Sequence, residues 1–201
     1  VIGAGADAIM SPYGTAAGSA EVIGNGGLWL SVDSTPGNVD QVVESAIRLG
    51  ADGIKVEVYP WSDSKETILN TVCMTAACRK WGLPVLVEAV PFGWQGGDER
   101  TPETITASCR VASEAGTDYV KAFYTGDQDR FKLLIDNCPV LILGGPKAES
   151  DRDVLAMVRD AMDTGAVGIA VGRNIWGRET ISSITAALAA IVHDNASVDT
   201  A

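Results

Sequence analysis

A single lysine lies in the middle of an apolar stretch bounded by glycines. Lys121 stands within Tyr119-Val-Lys-Ala-Phe-Tyr124, between Gly116 and Gly126, and this pattern predicts a buried strand. An ammonium group is costly to desolvate, so the position favours the neutral amine, which is the form that attacks carbonyl carbons. The alternative is an ordinary strand lysine whose stem packs while its head reaches water.

Two neighbouring apolar stretches each carry a further ionisable residue at a comparable depth. Lys55 lies in Ile54-Lys-Val-Glu-Val58, and Glu88 lies in Val87-Glu-Ala89. If these side chains and Lys121 share one pocket, a second cation favours the neutral form of its neighbour and the carboxylate can shuttle protons. The alternative for Lys55 and Glu88 is a buried ion pair that only joins two strands. We interpret Glu57, on the same strand face as Lys55, as a carboxylate at the rim.

Two later stretches end in glycine and suit an anion. They are Leu143-Gly-Gly-Pro-Lys147 and Ala170-Val-Gly-Arg-Asn174. Glycines let backbone N–H groups approach an anion closely, and an arginine adds a planar charged donor. The alternative is that the glycines only serve turns and the arginine is solvated. The predicted phosphate-binding residues are Gly144, Gly145, Gly172 and Arg173.

The elements that must position these residues repeat along the chain. Four times a helical pattern ends in glycine and then enters an apolar strand, because glycine can adopt the left-handed conformation that reverses the chain. Pro84 and Pro139 open two more strands. The predicted strands are 6–11, 28–33, 52–59, 84–90, 118–124, 139–144 and 167–172. The predicted helices are 15–23, 38–49, 64–81, 102–115, 128–136, 150–164 and 179–192.

This alternation of apolar strands and amphipathic helices predicts an α/β fold of parallel strands covered by helices. We expect one (β/α)8 TIM-barrel domain over residues 1–201. Such barrels have eight strands and about 250 residues, so we expect that the first strand is missing from this sequence. Chemistry in barrels lies at the C-terminal ends of the strands, and phosphate commonly binds after the last two. The alternative is an open, doubly wound sheet of seven strands.

Composition and charge narrow the classes of function. The formal net charge of −11 at pH 7 argues against sequence-independent nucleic-acid binding, which needs a basic face. We expect no membrane span, no leader and a cytoplasmic location. The single histidine and the absence of Cys-x-x-Cys spacing argue against a metal site. We interpret the four cysteines as reduced core residues: Cys73, Cys78, Cys109 and Cys138.

Three of these stretches, in this order, resemble the class I aldolases of the archaeal-type fructose-bisphosphate aldolase superfamily. They are Tyr119–Asp127, Leu143–Lys147 and Ala170–Trp176. That group includes tagatose-bisphosphate, sulfofructose-phosphate and deoxyribose-phosphate aldolases and aldol-type synthases. The resemblance covers essentially the whole chain and implies a (β/α)8 barrel, a homo-oligomer and Lys121 as the Schiff-base lysine. The glycine pairs and Arg173 match the family's phosphate-binding positions.

The resemblance is uneven within the superfamily. Archaeal fructose-bisphosphate aldolases carry a tyrosine as proton shuttle at the position of Val90. Tagatose-bisphosphate and sulfofructose-phosphate aldolases instead carry a fourth-strand lysine and a fifth-strand glutamate, which Lys55 and Glu88 match. The family's aspartate at the end of the first strand has no counterpart here.

The expected function is that of a class I aldolase, which makes or cleaves a C–C bond of a phosphorylated ketose. Lys121, Glu88 and Lys55 are the expected catalytic residues, and the expected partner is a phosphorylated sugar, with no metal and no other cofactor. One alternative is an aldol-type synthase or transaldolase-like enzyme that uses the same lysine. Another is a non-catalytic phosphosugar-binding barrel, and a pyridoxal-phosphate enzyme would also pair a lysine with a phosphate site.

Overall fold

The computed structural model describes residues 1–32, 37–64, 66–136 and 138–201. Its strands are β1 Ala8–Pro12, β2 Gly27–Ser31, β3 Gly53–Val58, β4 Val85–Ala89, β5 Tyr119–Phe123, β6 Val140–Leu143 and β7 Gly168–Ala170. Its helices are α1 Tyr13–Ile23, α2 Val39–Arg48, α3 Glu66–Trp81, α4 Pro102–Glu114, α5 Gln128–Ile135, α6 Asp151–Thr164, α7 Arg173–Trp176 and α8 Ile181–Asp194. Short 3-10 helices cover Ile2–Ala4 and Gly97–Glu99.

The predicted elements agree closely with those of the structure. Each of the seven strands and seven long helices begins and ends within two residues of its predicted bound. The four-residue helix α7 was not predicted. Two predicted positions lie outside the described residues: Asp33 in the second strand and Lys65 in the third helix.

The seven strands form one parallel sheet whose spatial order follows the chain from β1 to β7. The alternative of a doubly wound sheet was wrong, because such sheets reverse their strand order at a switch point. The sheet curls as a half-barrel, and in the described part of the chain β1 and β7 do not pair with each other. A cavity of about 510 Å³ opens between them, lined among others by Met10, Ile169 and Leu188.

Aspartates in the repeated segments that enter the strands tie neighbouring strands together. The Asp52 carboxylate accepts a hydrogen bond of 2.8 Å from the backbone N–H of Leu28 at the start of β2. The Asp118 carboxylate accepts one of 2.8 Å from the N–H of Val85 at the start of β4. A backbone N–H at the start of a strand needs such an acceptor, so these two aspartates fix the register at the N-terminal end of the sheet.

The glycines of the four repeated segments reverse the chain as predicted. Gly5, Gly50, Gly116 and Gly165 all have positive φ, between 71° and 114°. At Gly165 the requirement is strict, because a Cβ added there would lie 2.6 Å from Ile135 Cδ1. The glycine therefore permits both the turn after α6 and the close contact of that turn with α5.

The core is formed by both faces of the sheet. All five residues of β4 are buried, and the outward side chains pack against the surrounding helices in one continuous apolar cluster. Cys78 and Cys109 belong to this core, whereas Cys73 is exposed and Cys138 is half-buried. The expectation that all four cysteines lie in the core was therefore wrong for Cys73, which lies on the outer face of α3.

In the described residues, no helix has both the length and the apolar character needed to cross a membrane.

Candidate active site

The strand register places four ionisable side chains on the inner face of the curled sheet. Glu88 on β4 is the lateral neighbour of Glu57 on β3 and of Lys121 on β5. Lys55 lies two residues before Glu57 and therefore points to the same face. The three predicted catalytic residues are thus brought together, and a second carboxylate joins them.

Glu88 bridges the two lysines. Its Oε2 atom lies 3.0 Å from Lys55 Nζ, and its Oε1 atom lies 2.9 Å from Lys121 Nζ. The side chain of Glu88 is only 3% exposed, that of Lys55 6% and that of Lys121 13%. The carboxylate is therefore within proton-transfer reach of both amines, and little water competes for it.

Lys55 contacts two carboxylates. Its Nζ atom also lies 2.5 Å from Glu57 Oε1. Burial acts to lower the pKa of Lys55, but the negative charges of Glu88 and Glu57 outweigh it and raise that pKa above its ordinary value of 10.5. Lys55 is therefore a charged ammonium at neutral pH.

Glu57 is held more firmly than the sequence indicated. Its second oxygen, Oε2, accepts hydrogen bonds from the Tyr59 hydroxyl and, at 3.3 Å, from Trp94 Nε1. Its side chain is 17% exposed, so Glu57 lies near the rim of the site, where two loop residues hold it. Tyr59 and Trp94 belong to the loops after β3 and β4. The alternation along β3 indicated that Glu57 lies beside Lys55, but it could not indicate these two loop contacts.

Aromatic side chains line the mouth of the site above Glu57. Trp94 packs edge-on against Phe123, with ring centroids 6.4 Å apart. The Arg100 guanidinium carbon lies 5.0 Å from the centroid of the Phe123 ring, and Arg100 donates a hydrogen bond of 2.7 Å to the Gly93 carbonyl. Phe123 follows Lys121 by two residues on the same strand face, so this cluster covers the lysine site at the C-terminal end of the sheet.

The predicted phosphate-binding residues lie in the adjacent loops after β6 and β7. A Cβ on Gly144 would lie 2.9 Å from Val171 Cγ1, which shows how closely the two loops pack. Gly145 has a φ of 62°. The guanidinium of Arg173 is exposed and makes no hydrogen bond or ion pair within the described residues.

Asn174, which the sequence did not single out, joins these two loops. Its amide nitrogen donates hydrogen bonds of 2.6 Å to the Gly144 carbonyl and 3.1 Å to the Pro146 carbonyl. Its amide oxygen accepts one of 2.8 Å from the N–H of Ala148. The residue is only 1% exposed, so it positions both glycine segments from within the protein.

The cavity between β1 and β7 reaches the lysines. Lys55, Lys121 and Gly172 all contribute to its lining, whereas Gly144, Gly145 and Arg173 lie outside it. The amines and the end of β7 therefore face one space of about 510 Å³, which lies within the usual range of small-ligand pockets.

A lysine-centred site on the inner face of a curled parallel sheet agrees with the family comparison. The model of the DeoC/LacD family aldolases matches residues 3–178. The chain belongs to this family. The resemblance noted in the sequence is thereby confirmed, although the comparison does not assign the roles of individual residues.

The curated relatives of this DeoC/LacD family member include both a synthase and aldolases. It is 35% identical to 2-amino-3,7-dideoxy-D-threo-hept-6-ulosonate synthase of Halobacterium salinarum, over 88% of this chain and 67% of the relative. It is also 35% identical to fructose-bisphosphate aldolase class 1 of Thermoproteus tenax, over 75% of this chain and 59% of the relative. The chain thus spans about three fifths to two thirds of the length of these relatives.

Solved structures give the same relationship. An archaeal fructose 1,6-bisphosphate aldolase superposes with a TM-score of 0.80 at 31% identity, covering 95% of this chain and 80% of that one. A second archaeal aldolase structure superposes with a TM-score of 0.80 at 31% identity, covering 94% of this chain and 79% of that one. In that structure the catalytic lysine is covalently bound to the carbinolamine intermediate of the substrate. The curled sheet of this DeoC/LacD member is thus similar to the sheet of a solved aldolase whose lysine binds its substrate covalently.

Proposed function

We propose that this chain is a class I aldolase that makes or cleaves a C–C bond of a phosphorylated ketose through a Schiff base on Lys121. The observation that carries the proposal is the buried Glu88 carboxylate, which contacts Lys121 at 2.9 Å and Lys55 at 3.0 Å. A carboxylate beside an amine supplies the proton acceptor that a lysine nucleophile needs. The relatives named as aldolases support this reaction class.

The proposed mechanism begins with a proton transfer from Lys121 Nζ to Glu88 Oε1. The free amine attacks the ketone carbon, and Glu88 returns its proton to the carbinolamine hydroxyl, which leaves as water. The resulting iminium accepts the electron pair of the C–C bond that breaks, while the Glu88 carboxylate takes the proton of the hydroxyl group that becomes the aldehyde. In the reverse direction, loss of a proton from the carbon next to the iminium gives the enamine that attacks an aldehyde, and Glu88 returns a proton to the new hydroxyl group. Lys55, as a fixed cation, holds a substrate oxygen and stabilises negative charge there.

We place the substrate phosphate at the loops after β6 and β7. Gly144 and Gly145 carry no side chain that would keep an anion from their backbone, and the exposed Arg173 guanidinium has no ion-pair partner within the described residues. The residues proposed to bind phosphate are Gly144, Gly145, Gly172 and Arg173. In barrels, phosphate commonly binds at these two strand ends.

We further propose that residues 1–201 belong to a single (β/α)8 domain, in which a further parallel strand closes the barrel between β1 and β7. The support is the cavity that separates these two strands and the greater length of the relatives. The intact mass of the natural polypeptide tests this proposal, since a mass of 20.9 kDa would contradict it.

A cytoplasmic location and a homo-oligomer stay predictions. Light scattering on the purified protein checks the oligomeric state.

A second candidate function is an aldol-type synthase that uses the same lysine. The chain is as similar to the 2-amino-3,7-dideoxy-D-threo-hept-6-ulosonate synthase as to the Thermoproteus tenax aldolase, with 35% identity to each. The position of Val90 at the end of β4 also lacks the tyrosine of archaeal aldolases. Mass analysis of the products formed from dihydroxyacetone phosphate, with and without an aldehyde acceptor, separates the two functions.

Reductive trapping tests the proposed function directly. Incubation with dihydroxyacetone phosphate and borohydride should add one substrate mass to the protein, and peptide mapping should locate it on Lys121. The Lys121→Met variant should give no adduct there, whereas Lys80→Met, which removes an exposed lysine that pairs with Asp40 at 3.4 Å, should behave as wild type. A non-catalytic binding barrel would give no adduct in any variant, and visible absorbance of the purified protein would instead indicate pyridoxal phosphate.

A further inference from the structure

Four side chains of the site form a row in which negative and positive groups alternate. The order is Glu57, Lys55, Glu88 and Lys121, and the successive N···O distances are 2.5, 3.0 and 2.9 Å. The inner carboxylate of this row, Glu88, contacts both amines at nearly equal distance. Its contacts therefore do not decide which of the two lysines gives up a proton.

Glu57 breaks this symmetry, since it contacts Lys55 but not Lys121 in the described part of the chain. We propose that Glu57 is a positioning residue that keeps Lys55 charged and thereby directs Schiff-base formation to Lys121. This inference rests on the proposed function, because it names which lysine of the same site becomes the nucleophile. The step involves only a proton, which moves from Lys121 Nζ to Glu88 Oε1 and leaves the nitrogen lone pair free.

The surroundings of Glu57 hold it in the geometry that this role needs. The Tyr59 hydroxyl and Trp94 Nε1 both donate to Oε2, which leaves Oε1 directed at Lys55. The titratable groups that face Glu57 in the described residues are Lys55 and Tyr59 from β3 and its loop, Glu88 from β4 and, beyond it, Lys121 from β5. The raised pKa of Lys55 agrees with two carboxylates acting on one ammonium.

The charge-neutral variant Glu57→Gln tests the inference. With dihydroxyacetone phosphate and borohydride, the wild type should carry its adduct on Lys121. In Glu57→Gln the two lysines share one carboxylate, so the ratio of Lys55 adduct to Lys121 adduct should rise about tenfold for each unit by which the pKa of Lys55 falls. The Glu57→Asp variant, which keeps the charge, should restore the wild-type ratio at least in part.

Controls separate this role from a purely structural one. Glu114→Gln removes an exposed carboxylate that pairs with Arg110 on the surface and should leave the ratio unchanged. A structural defect in Glu57→Gln would lower the adduct on Lys121 without moving it to Lys55, and that result would overturn the inference. The absence of any adduct in the wild type would instead overturn the proposed function.

A milder variant decides the question if Glu57→Gln does not fold. Tyr59→Phe removes one donor to Glu57 and keeps all four charged side chains. It should move part of the adduct from Lys121 to Lys55, in the same direction as Glu57→Gln. An unchanged distribution in a folded Tyr59→Phe protein, combined with loss of folding in Glu57→Gln, would show that Glu57 serves stability alone and would overturn the inference.

Discussion

Glu88 Oε1 lies 2.9 Å from Lys121 Nζ, and the Glu88 side chain is only 3% exposed. The two residues are lateral neighbours on β4 and β5, so their contact is fixed by the strand register rather than by a mobile loop. A proton can pass between them without rearrangement of the backbone. Glu88 and Lys121 can therefore be replaced one at a time to measure what each contributes to the reaction.

Replacing Glu88 by glutamine should remove the proton acceptor while it keeps the shape of the side chain. We expect kcat to fall about 10²-fold to 10⁴-fold, which is the usual contribution of general acid–base catalysis. Steady-state cleavage assays measure this loss, and circular dichroism melts verify that the variant is folded. Glu114→Gln is the matched control. A folded Glu88→Gln protein with wild-type kcat would contradict the proposed role.

Replacing Asn174 by alanine should loosen the two loops that we propose bind phosphate. The change leaves the carbonyls of Gly144 and Pro146 and the N–H of Ala148 without their partner. Each unsatisfied buried group costs about 1–3 kcal/mol, so the free energy of unfolding should fall measurably in urea titrations. KM for the phosphorylated substrate should rise more than kcat falls. Asn70→Ala removes an amide with no hydrogen bond within the described residues. This variant should keep the wild-type KM and the wild-type free energy of unfolding.

The four cysteines should differ sharply in reactivity. Burial raises the pKa of Cys78 to about 12 and also raises that of Cys109, so both stay protonated and inaccessible. Cys73 is exposed on α3. Since the thiolate is the reactive form, iodoacetamide at pH 8 should label Cys73 first and should label Cys78 and Cys109 only after unfolding. Peptide mass mapping at successive times measures the order, and early labelling of Cys109 would contradict the packing of α4.

Two glycines that end helices should respond differently to alanine. Gly165→Ala places a Cβ 2.6 Å from Ile135 Cδ1 at a φ of 114°, whereas a Cβ at Gly50, with a φ of 71°, meets nothing within 4 Å. Gly50→Ala should cost about 1 kcal/mol for the left-handed conformation alone. Gly165→Ala adds a steric overlap and should cost more, on the order of 2–4 kcal/mol. Urea unfolding of the two variants measures the difference, and equal losses would contradict it.

The regular elements could be predicted from the sequence because glycine and proline mark where each strand begins. Gly116 and Pro139, for example, bound β5 and β6 by their backbone preferences alone. The fold class followed from this alternation. The helix α7 could not be predicted, because four residues do not complete a hydrophobic period.

The candidate site was only partly predictable for a similar reason. Lys55, Glu88 and Lys121 were visible as ionisable residues in apolar strands. The role of Asn174 was not visible, because a buried asparagine has no periodic signature and its three partners lie 26 to 30 residues earlier in the chain. The contact of Trp94 with Glu57 joins the loop after β4 to strand β3, and no local pattern indicates such a pair.

The alternating row of Glu57, Lys55, Glu88 and Lys121 has a consequence for the effect of ionic strength. Passing a proton from Lys121 to Glu88 leaves the summed charge of the four groups unchanged. Because these groups are mostly buried, mobile ions have little to screen during that step. Added salt should therefore weaken the capture of a phosphate by the exposed Arg173 while the bond-making step inside the sheet proceeds at the same rate.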